Sequence, residues 1–257
     1  MEPESTGEQR ENGGVQVIAR AAEIMRALID QPEGLSLAQI SRKVGLARST
    51  VHRIVTALEA ERFVISSTAG GHIRLGPGLV PLAASVRIEL RQEAHPYLEQ
   101  LSREVNETVD LAILNMDKVL FIDQIAAPQR LQAVSAIGVE FPLHCTANGK
   151  AILAELPPGQ VERLLPEELQ PLTPHTITSR QRLLEELERV RQTRVAYDRE
   201  EHTLGICAVG ATIRDTMGNL AAVTIPLPAT RFYGNREKLE AALLRTCERI
   251  QRRLGTG

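Results

Sequence analysis

The stretch "GLSLAQISRKVGLARSTVHRIVTALEAERFV", Gly34 to Val64, holds four cationic side chains, Arg42, Lys43, Arg48 and Arg53, before its first acid, Glu59. Ser36 and Gln39 have the S-x-x-Q spacing of a capping box, in which each side chain satisfies the other's backbone N–H, so a short helix is predicted over Leu37 to Val44. Gly45 ends it, being free to take positive φ. A second helix is predicted from about Ala47 to Arg62, with Val51, Ile54, Val55 and Leu58 on one buried stripe. Short helix, glycine turn, helix is the helix-turn-helix pattern, in which the first residues of the second helix meet base edges in the major groove.

Working outward, the residues left exposed early in that second helix are Arg48, Ser49, Thr50, His52 and Arg53. Arginine can bond guanine O6 and N7 with both arms of its fork, and short hydroxyls reach phosphates or bases. Ser36 and Lys43 belong to the same expected DNA-binding set, Lys43 nearer the DNA backbone. Upstream, Val17, Ile18, Ala21, Ile24, Met25 and Leu28 have helical spacing, which predicts a helix over about 15–29, stopped by "QPEG". Downstream, "FVISSTAGGHIRL" reads as two strands joined by "TAGG", a wing that carries His72 and Arg74. Residues 12–76 hold eight Lys or Arg against five Asp or Glu, a net of +3 in a chain whose net charge is −2. A polyanion is the partner this module suits, and double-stranded DNA is the expected one.

The 257 residues, 43% hydrophobic, favour two domains. The longest apolar runs, such as "AAVTIPLP", fall far short of the roughly 20 residues of a membrane span. The start, "MEPESTGEQRENGG", lacks the apolar core of a signal peptide, so residues 1–13 are expected to be a disordered leader on a cytoplasmic protein. Cys145, Cys207 and Cys247 form neither a disulfide framework nor a CxxC site. No GxSxG, Walker A or HExxH pattern occurs, and adjacent His144 and Cys145, read as strand neighbours, would point to opposite faces. Neither an enzyme nor a cofactor is therefore expected. The alternative is a metal-responsive regulator that uses His144, Cys145, His175, His202 or Cys207, although their spacing fits no standard zinc signature.

Beyond the wing, "GPGLVPLAASVRIEL" predicts a linker helix over 77–92, with Leu79, Leu82, Ala83, Val86 and Leu90 on one side. Pro96 is expected to kink it or restart it. "TVDLAIL" and "KVLFIDQI" read as a strand pair around "NMD", and "LQAVSAIGVEFPLHC" as a further extended segment. "TANGKAILAEL" predicts a helix capped by Thr146, and "SRQRLLEELERVRQTR" one opened by Ser179. Strands at "VAYD", "GICAVGATIRD" and "NLAAVTIPL" precede a last helix from about Asn235 to Leu254. Strands and helices without regular βαβ alternation argue for α+β. The start of the "TANGKAIL" helix offers backbone N–H groups to an anion, with small Ala147 and Gly149 allowing close approach.

Three stretches, "LARSTVHRIVTALEAERFV", "FPLHCTANGKAILAEL" and "YDREEHTLGICAVGATIRDTMGNLAAVTIPLP", in this order and spacing, resemble the IclR family of bacterial transcription factors over nearly the whole chain after the leader. The resemblance implies a winged helix-turn-helix domain (14–76), a linker helix (77–92) and a GAF-like effector domain with a curved antiparallel sheet (93–254). It also implies dimers, or dimers of dimers, on palindromic operators. Carried over residue by residue, it implies an effector cavity lined by Ala147, Asn148, Asp198, Ile206, Ala208, Thr224 and Pro226. Ala208 stands where members often have a cysteine, and Thr224 and Pro226 stand where some have serines. A less polar cavity is therefore expected, taking an aromatic or medium-chain acid that shifts operator affinity in either direction.

Overall fold

The computed structural model describes residues 11–29, 31–66, 71–85, 89–133 and 135–256. The chain divides between Arg87 and Ile88 into two compact units.

In the first unit, α1 (Glu11–Ala27), α2 (Leu37–Val44) and α3 (Arg48–Ala60) are followed by β1 (Val64–Ser66), β2 (Ile73–Leu75) and α4 (Leu79–Ser85). Both halves of the capping box form: Ser36 Oγ accepts from the Gln39 N–H, and Gln39 Oε1 accepts from the Ser36 N–H at 2.8 Å. Gly45 has φ +66°, the left-handed conformation that turns the chain into α3. Val51, Ile54, Val55 and Leu58 pack with Ile24, Leu28 and Ile40, so one small core unites the three helices. β1 and β2 pair antiparallel, Val64 opposite Leu75, and Leu35 bridges Ile73, tying the wing to the turn before α2. α1 begins at Glu11, ahead of the expected start at Val15. Residues 1–10 of the expected leader and 67–70 of the wing turn lie outside the described residues.

Within the expected linker helix the described residues form α4 and the start of α5 (Glu89–Val105), and residues 86–88 lie outside the described ones. Pro96 lies inside α5 and does not restart it. The missing N–H costs one bond, to Gln92, and the burial of Ala94, Leu98 and Leu101 against the sheet holds the helix across the gap.

The second unit continues with β3 (Val109–Asn115), β4 (Lys118–Ile125), β5 (Glu140–Pro142), α6 (Ala147–Glu155), α7 (Pro158–Leu164), α8 (Arg180–Thr193), β6 (Ala196–Arg199), β7 (Ile206–Arg214), β8 (Leu220–Pro228) and α9 (Ala229–Leu254). Six strands make one curved antiparallel sheet in the order β5-β4-β3-β8-β7-β6, so the fold is α+β. Alternate residues of β7 and β8 serve opposite faces. Cys207, Val209, Val223 and Ile225 pack under α5 and α9, whereas Ala222 joins Ile152, Leu153 and Leu187 under α6 and α8.

Two further expectations change. The described residues of "LQAVSAIGVEFPLHC" are irregular except for Glu140–Pro142, because Gly138, at φ +88°, turns the chain back to bond the Phe121 carbonyl. α9 starts six residues before the expected Asn235: Pro228 ends the strand and Ala229 N–H bonds the Gly205 carbonyl, so the helix follows without a loop. Among the described residues no helix is long and apolar enough to cross a membrane.

Candidate functional site

The first candidate face is the start of α3. Arg48, Ser49, His52 and Arg53 are exposed, Thr50 is half-buried, and Arg74 is exposed on the wing. Among the described residues no acid pairs with Arg48, Arg53 or Arg74, and the first turn of α3 holds no acid. No side chain caps that turn either, and while the Thr50 N–H bonds the Ala47 carbonyl, those of Arg48 and Ser49 are left to an outside acceptor. Two of the expected contacts have local duties. Ser36 is engaged with Gln39, and Lys43 Nζ donates to the Ala27 carbonyl at 3.0 Å, closing the end of α1. His52 Nδ1 lies 3.4 Å from Thr56 Oγ1 one turn on.

The second is a cavity of about 270 Å³ on the α6 side of the sheet. All seven residues implied for it line it together: Ala147 and Asn148 from the start of α6, Asp198 from β6, Ile206 and Ala208 from β7, Thr224 and Pro226 from β8. The strand pairing explains this, since Asp198 lies opposite Ala208, and Ala208 opposite Pro226. Cys207, one place earlier than Ala208, points into the core on the other face.

The start of α6 is less open than its sequence suggests. Thr146 caps it, and the Gly149 N–H is taken by Thr146 Oγ1 at 3.2 Å and Asn148 Oδ1 at 2.9 Å. Gly149 does not make room for a ligand. A Cβ there would stand 2.3 Å from the Leu143 carbonyl oxygen, so the glycine lets α6 lie on the backbone after β5. Of the N–H groups of the expected anion seat, that of Gly149 is thus taken by the protein itself.

The remaining lining comes from residues that the sequence reading missed: Asp110, Phe121, Gln132, Phe141 and His202 among them. Phe141 stacks on His202 with centroids 4.1 Å apart, and Phe121 meets Phe141 edge-on at 4.9 Å. Asp110, an acid inside the apolar run "TVDLAIL", was the legible signal. It accepts from Gln124 Nε2 at 2.7 Å and Ser135 Oγ at 2.9 Å. Burial raises its carboxyl to about 7 despite these two bonds, and Asp123 adds to the rise. Asp198 is likewise raised to about 7, first by burial and then by Glu201. His202 is lowered by burial and by His144, so its ring is neutral at pH 7.

Behind the cavity Lys150, fully buried, holds Glu201 at 2.5 Å. The Thr173 hydroxyl donates to the Glu200 carbonyl and the Thr176 hydroxyl to the Glu201 carbonyl, both at 2.6 Å. These contacts fix the β6–β7 loop that supplies His202 and Thr203 to the cavity wall.

Residues 17–65 match the IclR helix-turn-helix domain, and residues 82–252 match the C-terminal domain of bacterial transcriptional regulator IclR. The chain belongs to the IclR family. HTH-type transcriptional regulator Rv1719 of Mycobacterium tuberculosis is 55% identical over 233 residues, 91% of this chain and 90% of that protein. HTH-type transcriptional regulator TtgV of Pseudomonas putida is 42% identical over 243 residues, 95% of this chain and 93% of that one. The crystal structure of an IclR homolog from Microbacterium hydrocarbonoxydans, complexed with 4-hydroxybenzoate, shares the fold. Its TM-score is 0.79 at 23% identity, covering 94% of this chain and 100% of that one.

This IclR-family chain is accordingly a DNA-binding transcriptional regulator, and its relatives are named as regulators, not enzymes. The metal-responsive alternative finds no support. Among the described residues no three His, Cys, Asp or Glu side chains come together as donors. His144 Nε2 donates to the Gln170 carbonyl at 3.0 Å, and burial pushes the Cys145 and Cys207 thiols up to about 12 and about 11. His144 and Cys145 also lie in a turn after β5, not in the strand assumed for them.

Proposed function

We propose that α2, α3 and the wing bind a palindromic operator, and that a small aromatic compound in the cavity of the second unit changes that affinity. The observation that carries the DNA half is the unpaired cationic start of α3, Arg48 and Arg53 with no acid in its first turn, on a helix set by the Ser36 capping box. Arg48, Ser49, Thr50, His52 and Arg53 form the proposed base-reading and phosphate-contacting set, with Ser36, Lys43 and Arg74 at the margins. The regulatory half draws support from the grouping of Ala147, Asn148, Asp198, Ile206, Ala208, Thr224 and Pro226 around one cavity beside an aromatic wall. The Microbacterium hydrocarbonoxydans homologue, with 4-hydroxybenzoate bound, sets a precedent for one ring. A cavity of about 150 Å³ can hold benzene, so about 270 Å³ has room for one ring and a short substituent. Dimers or dimers of dimers fit the two-fold operator, and exposed Val17 and Ile18 on α1 offer an apolar strip for association.

Fluorescence anisotropy with the DNA adjoining the protein's own gene, at several salt concentrations, tests the DNA half. Specific binding that weakens steeply with salt supports it, and Arg48→Ala is expected to cost about 1–3 kcal/mol if Arg48 reads a base. Salt-independent or sequence-independent binding, with no effect of Arg48→Ala, would sink it.

A further inference from the structure

Two of the polar groups that the cavity leaves open are carbonyl or carboxyl acceptors. Asp198 uses Oδ1 for the backbone N–H groups of Glu201 and His202, at 2.7 and 3.4 Å, and among the described residues no donor reaches its Oδ2. Gln132 Oε1, in the same wall, is buried and has no partner. A buried acceptor without a donor is costly until something supplies one.

The lining contains no Lys or Arg. Lys150, whose charge reaches Asp198, is committed to Glu201. The other charged group that acts on Asp198 is Glu201 itself, an acid, and the thiols of Cys145 and Cys207, which the Asp198 charge helps to keep protonated, are neutral. Asn148 and the hydroxyl side chains of the wall can donate, but as neutral groups they cannot offset a second negative charge. A carboxylate entering here would have to keep a proton on Asp198 or on itself. A ligand that brings an N–H or O–H completes Asp198 Oδ2 or Gln132 Oε1 and presents its ring to Phe121, Phe141 and His202. An ammonium gains further from those ring faces.

We propose that this cavity selects a single-ring aromatic compound whose polar head is an amine or a hydroxyl, not a carboxylate, with Asp198 as the acceptor. The inference rests on the effector reading given above and narrows it.

Isothermal titration calorimetry of the full chain with benzylamine, benzyl alcohol and benzoate, at about pH 6 and about pH 8, separates the possibilities because the three differ only in the head group. Benzylamine or benzyl alcohol is expected to bind most tightly at both pH values, and benzoate to weaken further at the higher one. Asp198→Asn keeps an Oδ1 acceptor for the two backbone bonds. It is expected to weaken benzylamine by roughly tenfold to a hundredfold, the loss of one hydrogen bond to a charged group, and to improve benzoate. The wild-type ranking decides the matter even if the variant folds poorly. Benzoate binding tightest at the higher pH, or a donor preference indifferent to Asp198→Asn, overturns the inference while leaving the effector reading intact. Failure of all three probes at millimolar concentration overturns both.

Discussion

Asp110 and Asp198 are the residues whose chemistry departs furthest from what their type suggests. Each has a carboxyl raised from 3.8 to about 7, chiefly by burial. A carboxyl that holds its proton more tightly when folded contributes stability that is fully present below its unfolded pKa and is lost as pH rises through the folded one. The folded chain is therefore expected to lose stability between about pH 4 and about pH 7, by about 1.4 kcal/mol for each unit of difference. Asp110→Asn keeps an acceptor for Gln124, and its amide can donate to Ser135. Calorimetric melting is expected to show a flatter pH profile for this variant and a higher midpoint than wild type above pH 7. An unchanged profile would mean that Asp110 ionises freely in the fold. Gly149 offers a second test, steric instead of electrostatic. Because a Cβ there meets the Leu143 backbone at 2.3 Å, Gly149→Ala is expected to cost about 1–3 kcal/mol in urea unfolding, although alanine favours helix. A stabilised variant would show that α6 can shift away from Leu143.

Among the elements, α2 and α3 could be read from sequence nearly to the residue, since a capping box, a left-handed glycine and an apolar stripe are all local signals. Ser36→Ala removes the cap of α2 and is expected to cost about 1 kcal/mol, read in chemical denaturation, with DNA affinity falling less than for Arg48→Ala. The β6–β7 loop is the opposite case. Its placement depends on Lys150 and Glu201, 51 residues apart, and on Thr173 and Thr176, none of which belongs to a recognisable pattern. Lys150→Met leaves Glu201 as an uncompensated buried charge and is expected to destabilise the second unit by about 3–5 kcal/mol. Adding Glu201→Gln should restore part of that loss. If the single substitution were neutral, the pair would not hold the loop. α5 carries the same lesson: Pro96 reads locally as a break, and tertiary burial of Leu98 and Leu101 overrides it.

At the scale of the whole molecule, each unit has a core of its own, one around Ile40 and Val51, the others on the two faces of the sheet. Residues 89–257 expressed alone are therefore expected to fold cooperatively and to bind the same ring compounds as the full chain. A ligand at a hundred times its Kd should stabilise that unit by about 2.7 kcal/mol and leave the melting of the first unit unchanged. A fragment that fails to fold, or a ligand that raises both transitions equally, would show that the two units are not independent.

The local part of this protein was decided by its sequence: the helix-turn-helix, the wing strands, the caps at Ser36, Thr146 and Ser179, and the strands of the second unit. Helix capping, glycine turns and two-residue alternation act over a few positions, so they are written where they operate. The resemblance supplied the seven cavity residues, and alternation alone told Cys207 from Ala208. Only the tertiary structure decided that Asp110, Phe121, Phe141, Gln132 and His202 share that cavity, that Gly149 serves packing, and that Lys150 is spent on Glu201. Those outcomes depend on which strands are neighbours and on how far water is excluded, and both are set by contacts between residues tens of positions apart.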